Sequence, residues 1–208
     1  MATTPKYQLL FIVNPHSGVD SKDSIKALID QHLDKQHFDY QVIYTEGPKH
    51  AISLSKDGVI NKLDAIIAVG GDGSVNEVGQ ALIHSKTALG IIPMGSGNGL
   101  ARHLKIPMDT ADAIKRINRF ERKRIDTATI NNEPFLGTAG LGFDAHVGWK
   151  FAEFGKRGFF SYMQVTANEF FKFTPDQYQV EIDGERIESN AFLVNFANSS
   201  QFGNNAWI

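Results

Sequence analysis

Three glycine-bearing loops, each placed directly after a short apolar run, constrain the fold of this chain more than any other feature. They are Asn14-Pro15-His16-Ser17-Gly18, Gly70-Gly71-Asp72-Gly73-Ser74 and Gly95-Ser96-Gly97-Asn98-Gly99. The runs before them, Tyr7 to Val13, Ala65 to Val69 and Ala88 to Pro93, are continuously apolar, as strands buried on both faces are. Gln41 to Thr45 reads as a further short strand. Between the strands, Ser21 to Leu33 carries Ile25, Leu28, Ile29 and Leu33 at helical spacing, with Ser21 and Ser24 as candidate caps. His50 to Ile60 and Ser74 to His84 also read as helices. Strand alternating with helix predicts an α/β fold, a doubly wound parallel sheet covered on both faces.

After a helix expected around Ala111 to Phe120 the pattern changes. Arg124 to Ile130, Tyr178 to Ile182 and Ala191 to Phe196 read as strands, and Asp183-Gly184 is a hairpin turn signal. An aromatic-rich helical segment, Trp149 to Phe173, lies between them. The expected domains are therefore 1–120, an α/β domain, and 121–208, a β-rich domain. The chain stops at Ala206-Trp207-Ile208, where another strand is starting, so the second domain is expected to be incomplete.

In an open parallel sheet, ligands bind at the carboxyl edge of the strands. Glycines there let the backbone approach a ligand closely, and the N–H groups of the following helix can bind phosphate oxygens. Three such loops at one edge predict a site for an anionic ligand. Asp72, between glycines, is expected to present an unobstructed carboxylate. It could organise a Mg²⁺-phosphate or take a proton from an attacking hydroxyl. It could equally be a turn aspartate bonded to the backbone. For Glu77, on the first turn of the next helix, a capping role is the stronger reading, because acidic groups suit that end of the dipole.

What is missing narrows the chemistry. No G-x-x-x-x-G-K-[ST] occurs, and Asn14 to Gly18 does not supply the dinucleotide fingerprint G-x-G-x-x-G. The seven histidines (16, 32, 37, 50, 84, 103 and 146) show neither H-x-H nor H-E-x-x-H spacing, which argues against a His-based metal site. Gly95-Ser96-Gly97 is too short for a nucleophile elbow, so Ser96 reads as a phosphate ligand. The net charge of -2 argues against a nucleic-acid partner. The absence of cysteine rules out disulfides and fits a reducing compartment. No run approaches the ~20 apolar residues of a transmembrane helix, so the expected place is cytoplasmic, with peripheral membrane association.

Taken together, FIVNPHSG, AVGGDGSVNEV and IIPMGSGNGLARHL, followed by RIDTATIN and FLGTAGLGFDAHV, resemble the diacylglycerol kinase catalytic-domain family. That family includes bacterial lipid kinases and sphingosine kinases. The likeness spans nearly the whole chain. It implies an α/β nucleotide domain, a β-sandwich domain and an active site in the cleft between them. It also implies transfer of the γ-phosphoryl of ATP, with Mg²⁺, to a lipid hydroxyl. By the matched motifs Asn14, Pro15, His16, Ser17, Gly18, Gly70, Gly71, Asp72, Gly73, Ser74, Val75, Asn76, Gly95, Ser96, Gly97 and Asn98 would bind ATP. Thr45 matches an ATP-contacting threonine, Asp72 the catalytic or Mg²⁺-organising aspartate, and Asp144 a position associated with the lipid head group. Ser74 replaces the threonine of many bacterial members, and Gly99 their aspartate; the G-S-G-N form is closer to sphingosine and ceramide kinases. Relatives continue past the segment matching Phe202 to Ile208 into a stretch where some place a general base and a second metal site. A 208-residue form is accordingly expected to be weak or inactive in catalysis.

The expected function is therefore an ATP-dependent lipid kinase acting on a diacylglycerol- or sphingoid-type lipid at a membrane surface. The alternatives are an NAD kinase-like enzyme and a non-catalytic nucleotide- or lipid-binding module. Lys115 to Arg124 forms a basic patch, read either as a solvated helix end or as a contact for anionic headgroups. Phe151, Phe154, Phe159, Phe160, Tyr162, Phe170, Phe171 and Phe173 read either as sandwich core or as an acyl-chain pocket. Lys156-Arg157-Gly158 would suit a membrane-facing loop, and open strand edges would favour pairing with a second copy.

Overall fold

The computed structural model describes residues 6–17, 22–155, 159–203 and 206–208, with backbone alone at 22, 23, 159 and 206. Four parallel strands, β1 (Tyr7–Val13), β2 (Phe38–Tyr44), β3 (Ala65–Gly70) and β4 (Ala88–Pro93), form one sheet in the order β2-β1-β3-β4. Leu9 pairs with Tyr40 on one side and Ala65 on the other. The helices are α1 (Lys22–His32), α2 (His50–Ile60), α3 (Asp72–Leu82), α4 (Gly99–His103) and α5 (Thr110–Ile117).

Alternation along the strands sorts the core into two layers. Leu9, Phe11, Val13, Ile67, Val69 and Ile92 pack against Ile25 and Ile29 of α1 and Ile114 of α5. Leu10, Ile12, Ile66, Ala68 and Ile91 face the other way, against Ala51 of α2, Val75 and Val78 of α3, and Leu100 of α4. The sheet is thus doubly wound, as its strand pattern requires. The strand order reverses between β1 and β3, so the loops 14–17 and 70–74 leave from adjacent strands at the switch point.

By packing, the chain divides into two compact units, residues 1–137 with 198–208, and residues 138–197. The first unit also holds the hairpins of β5 (Ala128–Ile130) with β6 (Glu133–Phe135) and β11 (Gln201–Gly203) with β12 (Ala206–Trp207). The second unit pairs β7 (Thr138–Gly142) with β10 (Leu193–Ala197), and β8 (Asp176–Ile182) with β9 (Glu185–Ala191). Asp183 and Gly184, with φ of 51° and 88°, make the tight turn of the β8–β9 hairpin. The helices α6 (Phe143–Glu153) and α7 (Phe159–Phe170) complete this unit.

The aromatic segment turns out to play two roles. Phe143, Val147 and Val165 form a small core with Phe151, Phe173 and Phe192 against it, whereas Phe160 and Phe171 are almost fully exposed. Among the described residues, no helix is long and apolar enough to cross a membrane.

Candidate functional site

The first loop is folded by its own asparagine. Asn14 Oδ1 accepts the N–H of His16 at 2.9 Å, and the Asn14 carbonyl accepts the N–H of Ser17 at 3.1 Å. The Asn14 N–H is held by the carbonyl of Val69 at 3.0 Å. The Asn14 amide then donates to Ser74 Oγ at 3.1 Å, which ties this loop to the second. Ser74 Oγ sits over Gly70, only 2.5 Å from where a β-carbon would stand, and Ser17 Oγ is 3.4 Å from the same point. Any residue but glycine at 70 would push the Ser74 side chain away, while Ser17 Oγ would stand in ordinary contact. Pro15 is half-buried beside them, and the His16 ring is exposed. Gly18 lies outside the described residues. Thr45, half-buried at the end of β2, joins the same rim through its N–H on the carbonyl of Val13 at 2.9 Å.

The second and third loops touch backbone to backbone. A β-carbon at Gly95 would lie 2.5 Å from Gly71 Cα, so these turns can meet only as glycines. Met94 donates its N–H to the carbonyl of Gly70 at 2.9 Å. Asn98 closes the third loop on itself, accepting from Gly95 N–H at 2.9 Å and donating to the Gly95 carbonyl at 2.7 Å. Ser96, at the tip, is exposed, and the Gly97 carbonyl accepts from Arg102 Nε at 3.1 Å.

Asp72 is exposed, and its carboxylate is bonded to the backbone, as the turn-aspartate alternative expects. Its Oδ2 accepts the N–H of Asn98 at 2.8 Å and its Oδ1 the N–H of Gly99 at 2.7 Å. The reason is local: α4 starts at Gly99 with no side-chain cap of its own, and a helix start needs acceptors for its first N–H groups. Asp72 supplies them from the next loop. Its side chain therefore clasps loop to loop.

Helix α3 begins at Asp72 itself, two residues earlier than its apolar spacing suggested, and no side-chain hydrogen bond caps it. The N–H groups of Asp72, Gly73 and Ser74 thus have no acceptor within the helix, and a β-carbon at Gly73 would meet nothing within 4 Å. Two of the expected ligand-lining residues are turned to other work. The Val75 side chain is buried in the core and its N–H goes to Gly71, while Asn76 Nδ2 donates to the Pro134 carbonyl at 3.3 Å. Glu77 does not cap its own helix; its carboxylate accepts the N–H of Lys49, at the start of α2, at 3.2 Å.

Asp144 lies in the second unit, on the first turn of α6. Its Oδ1 accepts the N–H of Ala145 at 2.8 Å, and burial pushes its carboxyl above the usual range. Burial, and to a lesser degree the Asp144 charge, likewise raise the Tyr162 hydroxyl.

Sequence reasoning missed α4 and the segment 198–203. Asn98 bridges to Gly203, and His103 Nδ1 accepts the N–H of Ser200 at 3.2 Å. Only the pairing of distant parts of the chain reveals that contact. Half of the basic patch is engaged: Lys115 meets Asp112 at 2.8 Å, Arg116 meets Glu121 at 3.0 Å, and Arg122 stacks 4.3 Å over the Phe120 ring.

The rim thus offers phosphate oxygens the start of α3, the hydroxyls of Ser17, Ser74 and Ser96, and an open approach at Gly73, which fits a polyphosphate. No cluster of three or more His, Asp or Glu side chains suited to a metal ion occurs among the described residues.

Comparison with known proteins gives this geometry its context. Residues 8–130 match the diacylglycerol kinase catalytic domain, and residues 137–208 match the YegS C-terminal NAD kinase β-sandwich-like domain. An uncharacterized protein of Synechocystis sp. is 30% identical over 207 residues, which is 91% of this chain and 46% of that protein. Diacylglycerol kinase of Bacillus subtilis is 28% identical over 195 residues, 90% of this chain and 64% of that enzyme. The crystal structure of a diacylglycerol kinase from Bacillus anthracis superposes with a TM-score of 0.74 at 25% identity, covering 99% of this chain and 68% of that one. The chain therefore spans about half to two thirds of the length of these relatives. A catalytic-domain match over more than half of its residues, with a sandwich-like match behind it, means that the chain belongs to the diacylglycerol kinase catalytic-domain family.

Proposed function

We propose that this chain is the nucleotide-binding and lipid-facing part of an ATP-dependent lipid kinase, transferring the γ-phosphoryl to a hydroxyl of a diacylglycerol- or sphingoid-type lipid. The observation that carries this reading is the uncapped start of α3, set between loops 14–17 and 95–98 at the sheet's switch point. Amides there bind phosphate oxygens without needing a positive side chain. Family membership supports the choice of ATP, and the names of relatives support a lipid acceptor.

In this reading the chain contributes positioning and charge stabilisation more than covalent chemistry. The N–H groups of Asp72, Gly73 and Ser74 hold phosphate oxygens, and the hydroxyls of Ser17, Ser74 and Ser96 add donors. Asp72 fixes loops two and three so that these donors point one way. Mg²⁺, held mainly by phosphate oxygens and water as is usual for it, neutralises phosphate charge when bound. The enzyme works on a membrane-borne acceptor from the side, as a peripheral protein.

The test is product analysis by mass spectrometry after incubation with ATP, Mg²⁺ and, separately, diacylglycerol, sphingosine and NAD. Phosphorylated lipid with no phosphorylated NAD is the expected result, at low yield from the 208-residue chain. Phosphorylated NAD would replace the lipid reading with the dinucleotide one. Failure to bind ATP in a calorimetric titration would remove both.

A further inference from the structure

The β7–β10 ladder pairs Gly140 with Asn195. Residues directly opposite in an antiparallel ladder project from the same face. On this face β7 carries Thr138, Gly140 and Gly142, and β10 carries Leu193, Asn195 and Ala197. The space that a side chain at Gly140 would fill belongs to Asp144. Its Oδ2 presses closest to the place of the missing β-carbon, and its Cγ lies 2.8 Å from it. Asn195 and the Asp144 carboxylate therefore share one face of the ladder, with no side chain at 140 between them. The Tyr178 hydroxyl stands 3.1 Å from the place of a β-carbon at 142.

Neither group is satisfied there. Both Nδ2 and Oδ1 of Asn195 are buried with no hydrogen-bond partner among the described residues. Asp144 Oδ1 accepts the N–H of Ala145, and among the described residues no other residue donates to Oδ2. A buried amide with no partner is rare in folded proteins and calls for a specific cause, such as a ligand or a bound water. Burial also raises the Asp144 carboxyl, which agrees with a group kept from water.

We propose that Asn195 is a specificity-determining residue, taking with Asp144 one free hydroxyl of a lipid head group. Asn195 Nδ2 donates to the hydroxyl oxygen, and the hydroxyl donates to Asp144 Oδ2. A hydroxyl is the smallest group that can do both at once. An ammonium would satisfy the carboxylate and leave Nδ2 without an acceptor, and an ester oxygen would do the reverse. The inference rests on the lipid-kinase reading, but it concerns recognition, so it can be tested by binding alone.

The experiment compares the 208-residue chain with Asn195→Leu in calorimetric titrations. The ligands are 1,2-dihexanoylglycerol, which carries a free hydroxyl, and trihexanoylglycerol, which does not. Asn195→Leu should melt at or above the wild-type temperature, since an unpaired buried amide is removed. Its affinity for dihexanoylglycerol should fall about tenfold, with that for trihexanoylglycerol unchanged. Unchanged affinity for dihexanoylglycerol would overturn the proposal and assign the orphan amide to an internal water, leaving the kinase reading intact. Equal loss of both ligands would also overturn it, by making the effect one of packing. Wild-type protein that binds neither glyceride would overturn this inference and the diacylglycerol reading with it. Should Asn195→Leu fail to fold, Asn195→Val, at home in a strand, carries the same comparison.

Discussion

The carboxylate of Asp72 accepts N–H groups from Asn98 and Gly99, and so fastens the start of α3 to the start of α4. A group held by two backbone donors has a fixed direction, which suits it to orient loops around a phosphate chain. In Asp72→Asn one amide oxygen keeps a single N–H, while the new NH₂ is turned against the other donor. The loss should resemble that of a helix cap, about 1 kcal/mol, which lowers the melting temperature by a few degrees. Affinity for ATP, read by titration, should weaken alongside it. If melting and ATP affinity both stay unchanged while turnover collapses, Asp72 acts on a proton and its clasp carries no weight. The sequence made Asp72 a candidate because it stands between glycines. It could not show the carboxylate engaged, because the partners are 26 and 27 residues away. Ser17, Ser74 and Ser96 were legible for the opposite reason: their loops follow apolar strands whose ends the residue pattern marks plainly.

At the scale of elements, the parallel strands and long helices were readable because each buries a continuous run or a periodic stripe. Helix α4 was not, since five residues give no period to detect. Helix α7 is the instructive case. Its inward face carries Val165, yet Phe160, Met163, Ala167 and Phe171 fall within a ~80° stripe on the other side, by the 3.6-residue repeat. Phe160 is 88% and Phe171 90% exposed. The two alternatives for the aromatic segment, core or lipid contact, both have a place here, divided between faces of one helix. The neighbouring Lys156-Arg157-Gly158 lies outside the described residues. If the exposed stripe enters a lipid interface, as apolar helix faces do, Phe160→Ser with Phe171→Ser should reduce sedimentation with diacylglycerol-containing vesicles severalfold. The melting temperature should not change, because neither ring is buried. A fall in melting temperature with vesicle binding intact would mark the stripe as packing surface.

For the molecule as a whole, the order of the chain and the order of packing differ. Residues 198–208 follow the second unit in sequence, yet they pack with the first. Asn198 donates its N–H to Gly137 at 3.0 Å, and its side-chain amide donates to Asp126 and Leu136 at 2.8 and 2.9 Å. Ser200 meets His103, and the backbone at 201 and 202 passes so close over α4 that a β-carbon at Gly99 would stand 3.0 Å from both carbonyl oxygens. These are contacts between positions 60 or more residues apart, for which no local pattern exists, so the sequence marked only the start of a strand at Ala206-Trp207-Ile208. The same α4 is held from below by Asp72, which puts the third glycine loop between two grips, one from α3 and one from this returning strap. Removing residues 198–208 deletes at least three hydrogen bonds at about 0.5–1.5 kcal/mol each together with the cover over α4. A chain of residues 1–197 should therefore lose about 2–5 kcal/mol from the parallel-sheet unit in denaturant unfolding followed by far-ultraviolet circular dichroism. Its ATP affinity should drop as well, because loop 95–99 would keep only the Asp72 grip. If the shortened chain unfolds at the same denaturant concentration and binds ATP as before, the strap merely rests on α4, and the order of the third loop comes from Asp72 and Asn98 alone.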